Sequence, residues 1–307
     1  MEVTRLRVLY GVLGEGGEKV ARDPTGYLGI ERGIYRRRGL ELSWDHVQGT
    51  DERNQALASG EADLSFVIGR ASLQHFLRTG ATRLIGSCMN SSPYLLMAAP
   101  GIDAAAGLRG KAVACRRIIA ETAPLAGTLR DRAGLEPGAD VRLEPVDTDQ
   151  HALDRLTAGS ADAALLPRPF DFVARERGFL PVADWPEVAG DPLPISIETM
   201  ASTLRDKGNA LRTFLVSHQQ AIRYLQGHRS ETLAMLQRVF GYAPDLAAVL
   251  YDDYLGLLDP RLTVDLPQVD RLLRLTAPDA GAGVAELASR WLAPGAASRE
   301  PAAGASE

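Results

Sequence analysis

Residues 56–66, ALASGEADLSF, and residues 156–166, LTAGSADAALL, follow one pattern. In each, a helical run ends on a small residue and glycine (Ser59-Gly60, Ala158-Gly159), one residue intervenes, and Ala-Asp (Ala62-Asp63, Ala161-Asp162) opens an apolar run. The two aspartates stand 99 residues apart, too far for a solenoid period and close to the length of one small α/β lobe. Each glycine suits the position that closes a helix, and each aspartate suits a short turn at the head of a strand. A chain that repeats this joint is expected to fold as two similarly wound lobes.

The rest of the chain extends the repeat. Short aliphatic runs alternate with helical periodicity from residue 5 to about 183, the pattern of parallel βαβ units. Strands are expected near 5–10, 40–44, 62–67 and 82–87, with helices over 24–37, 50–59 and 70–79. A second series places strands near 111–115, 140–145, 161–165 and 179–182, with helices over 122–133, 149–158 and 169–177. Two extended segments bounded by proline, 92–101 and 192–202, carry the chain out and back, so a two-segment hinge joins the lobes. Lobe one is expected to hold residues 1–93 and 195–292, including C-terminal helices over 208–227, 229–240, 243–256, 267–276 and 282–292. Lobe two spans 94–194, and the small, polar, Pro-rich stretch 293–307 is expected to be a disordered tail.

Composition removes several classes of function. A net charge of −5 over 307 residues offers no basic face for nucleic acid, and no run approaches a membrane span. The N-terminus shows no signal-peptide pattern, so as written the protein is expected to be cytoplasmic; an upstream signal would make it periplasmic. Two cysteines, Cys88 and Cys115, are too few for a disulfide framework and sit in apolar runs, as buried thiols do. The five histidines form no H-x-x-x-H or H-E-x-x-H pair, so no metal site and no cofactor is expected from spacing, and His75 reads as a helix-surface residue.

The phrases GIERGIYRRRGLELSW, TGATRLIGS, GLRGKAVAC, AGLEPGADVRLEPV, ALDRLTAGSADAALLPRP and ARERGF, taken in order over about residues 5–227, resemble the periplasmic-binding-protein-like (type II) family of NMT1/THI5 and sulfonate, nitrate and taurine substrate-binding proteins. The resemblance implies an α/β fold of two doubly wound lobes with a central ligand cleft. It implies either of two roles. One is delivery of a small organic anion to an ABC permease. The other is a cytosolic lyase of the same fold, a decarboxylase or desulfinase. The desulfinase branch carries a cysteine near the stretch where this chain has Tyr27, and the His- and Cys-rich signature of the pyrimidine synthases is missing. Binding is therefore the leading reading.

In parallel α/β sheets, ligands lie beyond the carboxyl ends of the strands. After the third strand, lobe one reads FVIGRAS and lobe two LLPRPF, which puts Gly69-Arg70 and Arg168 at matching places, the arginines 98 residues apart. Arg116 and Arg117 end the first strand of lobe two, followed by Thr122, and alternation admits one of that pair to the cleft. A guanidinium fork matches a carboxylate or sulfonate. Leu13 and Glu15 in the Gly-rich stretch YGVLGEGG, Thr50 at a helix start, and Asn90 and Ser91 at the hinge complete the expected contacts. That stretch lacks the G-x-G-x-x-G spacing of a nucleotide site.

Overall fold

The computed structural model describes residues 3–11, 23–47, 50–91, 94–117, 119–182, 192–277 and 283–296. Lobe one is built on a sheet of β1 (Thr4–Gly11), β2 (Leu40–Val47), β3 (Leu64–Val67), β4 (Thr82–Ser91) and β10 (Pro192–Met200), in the order β2-β1-β3-β10-β4. Lobe two uses β5 (Tyr94–Ala98), β6 (Ala112–Arg116), β7 (Arg142–Val146), β8 (Ala163–Pro167) and β9 (Leu180–Pro181), in the order β7-β6-β8-β5-β9. The two orders correspond strand for strand. In each sheet the antiparallel fourth member is a crossing strand: β5 enters lobe two beside β8, and β10 returns to lobe one beside β3. The segments expected to be a hinge are thus also central rungs of the two sheets.

The repeated phrase makes the same joint twice. Gly60 and Gly159 both adopt positive φ, +79° and +69°, where a side chain would be strained. The Asp63 carboxylate then accepts the Arg7 N–H at 2.9 Å while its own N–H donates to Arg7 O at 2.9 Å. Asp162 does the same with Ala112, again at 2.9 Å both ways. A side chain here extends the backbone ladder by one rung, which locks the head of the third strand to the first. Two of the three lysines complete the pattern, Lys207 on Asp63 at 2.7 Å and Lys111 on Asp162 at 3.2 Å.

Both faces of each sheet are covered, so the central strands β3, β5, β6, β8 and β10 are buried along their length, while the edge strands β2 and β7 keep exposed charged residues such as Glu41 and Arg142. Alternation sorts the core. Leu6, Val8 and Tyr10 face α1 (Thr25–Glu31) and α8 (Gly208–Gly227), whereas Leu9 packs with Ala56 and Leu57 of α2 (Thr50–Ser59). In lobe two, Val113 and Cys115 pack with Leu125 and Leu129 of α4 (Ile119–Ala133). Ala114 faces Leu153 of α5 (Asp149–Thr157) and Phe170 of α6 (Phe170–Glu176). α3 (Gly69–Thr79) packs with α11 (Leu266–Thr276) and α12 (Val284–Trp291) around the fully buried Trp291. The remaining helices are α7 (Ala201–Asp206), α9 (Arg229–Phe240) and α10 (Pro244–Val249).

Three expectations are corrected. The helix expected over 24–37 ends at Glu31, because Gly33 turns the chain at φ +65°; a short 3-10 turn, Arg36–Arg38, follows before Gly39 at φ +75°. The helix expected over 243–256 is α10 followed by a π turn, Leu250–Tyr254, and a 3-10 turn, Leu255–Leu257. Residues 293–296, assigned to the tail, are packed: Ala293 N–H donates to Leu84 O at 2.9 Å, and buried Ala296 accepts from Val264 N–H at 3.0 Å.

Candidate functional site: the third-strand tips at the hinge

The crossing strands run antiparallel to the third strands, so the carboxyl tip of each third strand lies where the chain passes between lobes. Tyr94, the first residue of β5, pairs with Pro167 at the end of β8, and Val67 at the end of β3 pairs with Ser196, midway along β10, four residues after that strand begins at Pro192. β4 ends at Ser91, three residues before Tyr94, which limits their Cα separation to about 11 Å. The residues that follow the two third strands, Ile68 to Arg70 and Arg168 to Phe170, are therefore gathered at the seam between lobes.

Gly69 opens α3 directly against the hinge: a Cβ there would stand 2.7 Å from the Leu193 Cβ, so only glycine lets the helix start this close to the crossing strand. Arg70 lies in that first turn. Its Nε is buried and has no hydrogen-bond partner among the described residues. An orphaned buried donor on a cation costs about 1–3 kcal/mol or more unless an acceptor arrives, and the positive end of the α3 helix dipole lies beside it.

Arg168 stands before α6 with its Nε 3.8 Å from Asp171 Oδ2 and its guanidinium 5.7 Å over the Phe172 ring. Phe172 joins the lobe-one core with Tyr10 and Phe66, which fixes Arg168 at the interlobe contact. Asp171 is wholly buried, and among the described residues its carboxylate receives no side-chain hydrogen bond; burial pushes its pKa up to about 6, against the pull of Arg168 and Arg175.

The other expected residues have different surroundings. Arg116 is buried and ion-paired to Asp149 at 3.1 Å, joining β6 to the start of α5. Arg117 points outward, its side chain 70% exposed and 3.6 Å from Asp147. Thr50 is exposed at the head of α2, and Thr122 is half-buried in α4. Asn90 spans to the C-terminal segment, donating to Thr263 O at 2.8 Å and accepting from Asp265 N–H at 2.9 Å. With Ser91 it edges a recess of about 640 Å³ that also includes Asp259 and Arg261. Leu13 and Glu15 lie outside the described residues. His75, expected on a helix surface, is buried, and burial lowers its pKa near Glu198 and Arg53.

An aromatic wall lies outside the arginine-centred reading. Tyr10, Trp44, His46 and Phe66 lie in the carboxyl halves of β1, β2 and β3, with Tyr10 and Trp44 stacked at 5.8 Å and Trp44 and Phe66 tilted at 49° with centroids 5.1 Å apart. Tyr27 of α1 reaches the same group through a hydrogen bond with His46, and burial raises its pKa to about 12. The sequence carries a signal for the wall: each aromatic is the last or next-to-last core-facing residue of its strand. The Trp44 Nε1–H is also buried without a partner among the described residues.

Two similar lobes of this strand order, tied by two crossing strands, make up a type II periplasmic-binding-protein-like fold. A family model described as NMT1/THI5 like matches residues 25–232, and the chain belongs to that family. The alkanesulfonate-binding protein SsuA from Xanthomonas axonopodis pv. citri, bound to MOPS, is 16% identical with a TM-score of 0.67, over 95% of this chain and 100% of that one. The periplasmic aliphatic sulphonate binding protein SsuA from Escherichia coli is 17% identical with a TM-score of 0.65, over 94% and 97%. DSZB, as a cysteine-to-serine mutant in complex with biphenyl-2-sulfinic acid, is 17% identical with a TM-score of 0.59, over 94% and 96%. A comparison with curated proteins finds no match.

Proposed function

We propose that the protein closes on a small organic anion, a carboxylate or sulfonate, between its lobes, as the solute-binding partner of an ABC permease. The observation that carries this reading is the buried Nε of Arg70 just past the tip of β3, beside the hinge, which has no hydrogen-bond partner among the described residues. A ligand oxyanion would satisfy it in a charge-assisted hydrogen bond, and closure would strengthen that bond by excluding water. Arg168, drawn partly toward Asp171, would contribute less. The aromatic wall supplies apolar surface for an organic body, and the sulfonate-binding relatives share the two-lobed frame. Among the described residues, no helix is long and apolar enough to cross a membrane. Work beside a permease would place the protein in the periplasm.

One observation favours a second reading. Asp171, with its pKa near 6 beside Arg168, has the properties of a proton donor, which a decarboxylase or desulfinase would need after losing CO₂ or sulfite. Such an enzyme would work in the cytoplasm. A thermal-shift screen of aliphatic and aromatic carboxylates, sulfonates and sulfinates, followed by product analysis of every hit, separates the two. Binding predicts a stabilising hit recovered unchanged; turnover of the hit, abolished in Asp171→Asn, would transfer the assignment to the lyase.

A further inference from the structure

Behind the aromatic wall, three elements distant in sequence deliver three metal-ligating side chains to one point. Asp23 precedes α1, Cys88 lies in β4 and His218 in α8, and all three are wholly buried. His218 Nε2 stands 3.3 Å from Asp23 Oδ2 and 3.6 Å from Cys88 Sγ, and the three ligand atoms lie within 4.8 Å of one another. Read as hydrogen bonds these contacts are poor. One ring nitrogen would serve both a carboxylate and a thiol, and 3.3 Å exceeds the roughly 2.7–2.9 Å of a charge-assisted bond. Read as edges of a coordination tetrahedron they fit: metal–N and metal–O bonds of about 2.0–2.1 Å and a metal–S bond of about 2.3 Å give edges of about 3.3 and 3.6 Å.

The surroundings fit the same reading. His218 Nδ1 lies 2.7 Å from the Tyr35 hydroxyl, the outer partner that fixes an imidazole ligand with Nε2 toward the metal. Asp23 Oδ1 accepts the Thr25 N–H at 2.9 Å, which leaves Oδ2 for coordination. The imidazole is stacked on Phe214 at 5.5 Å and 15°, so its plane is held. We propose that Asp23, Cys88 and His218 bind one divalent transition-metal ion of the zinc class, with Tyr35 orienting the histidine. A dication with one thiolate, one carboxylate and one neutral imidazole sums to zero charge, the condition for burial. The fourth corner is left to a water-sized ligand. The ion would pin α8 and the head of α1 to β4 in lobe one, a structural role separate from anion binding at Arg70.

The test uses the full chain, stripped with a chelator under reducing conditions and titrated with Co²⁺. One equivalent should produce a near-ultraviolet thiolate-to-cobalt charge-transfer band and visible bands of tetrahedral cobalt, both displaced by Zn²⁺. Zn²⁺ should raise the melting temperature of the stripped protein by several degrees, and Cys88→Ser and His218→Gln should abolish band and shift alike. Should either variant fail to fold, Cys115→Ser decides, since Cys88 is then the only thiol and the band must persist. Absence of the band in the wild-type protein, its survival in Cys88→Ser or its loss in Cys115→Ser would overturn the site.

Discussion

The two lobes share a joint and part company just after it. Asp63 and Asp162 make the same pair of 2.9 Å backbone bonds, and each is met by a lysine. One residue beyond the third strands the likeness stops. Lobe one goes through Ile68 straight into α3 and leaves Arg70 Nε without an acceptor among the described residues, while lobe two turns through Arg168 and Pro169 and gives its arginine Asp171 and Phe172. Backbone joints demand the same atoms wherever the same topology recurs, so they stay alike. Side chains beyond the strand tips are free of that demand, and there the lobes differ: the Nε of Arg70 has no acceptor among the described residues, while Arg168 lies near a carboxylate.

The comparison can be broken at several depths. Asp63 is 9% exposed in its side chain and Asp162 36%. Asp63→Ala is expected to cost ~3–4 kcal/mol by urea denaturation, as it strips a buried strand joint of two partners, and Asp162→Ala ~1 kcal/mol. Equal losses would show that burial does not rank the two joints. Asp171 comes next. Its folded pKa is raised from 3.8 to about 6, so between those values the folded state holds a proton that the unfolded chain has released. Stability therefore falls as pH rises through that window, by up to ~3 kcal/mol, and Asp171→Asn should remove the slope. A wild-type profile that climbs from pH ~4 to ~6 and is unaltered by the variant would refute the assignment. Gly69→Ala, which sets a Cβ 2.7 Å from Leu193, is expected to destabilise by ~1–3 kcal/mol and to weaken ligand binding by moving Arg70. Arg117→Ala, removing an exposed pair, should change stability by less than ~0.5 kcal/mol.

What could be read from the sequence was what local chemistry encodes. Gly60 and Gly159 need positive φ, their aspartates cap a strand, and the two series of strands and helices follow from periodicity; these are short-range signals. The arginines at the strand tips were legible because topology alone says where a tip lies, but their partners were not: Asp149 on Arg116 comes from 33 residues away. The raised pKa of Asp171 depends on desolvation by the packed lobes, which no spacing reveals. His218 meets Asp23 across 195 residues and Cys88 across 130, so a search for short histidine motifs passes over them. The helix expected over 24–37 stops short for a local reason, the turn that Gly33 makes at positive φ.

The central claim is that Arg70 holds the anion. Titration calorimetry of the best carboxylate or sulfonate hit against wild type, Arg70→Ala and Arg117→Ala tests it directly. Loss of one charge-assisted bond predicts affinity lower by about ten- to a hundredfold for Arg70→Ala, with Arg117→Ala unchanged. Wild-type affinity in Arg70→Ala would contradict the account.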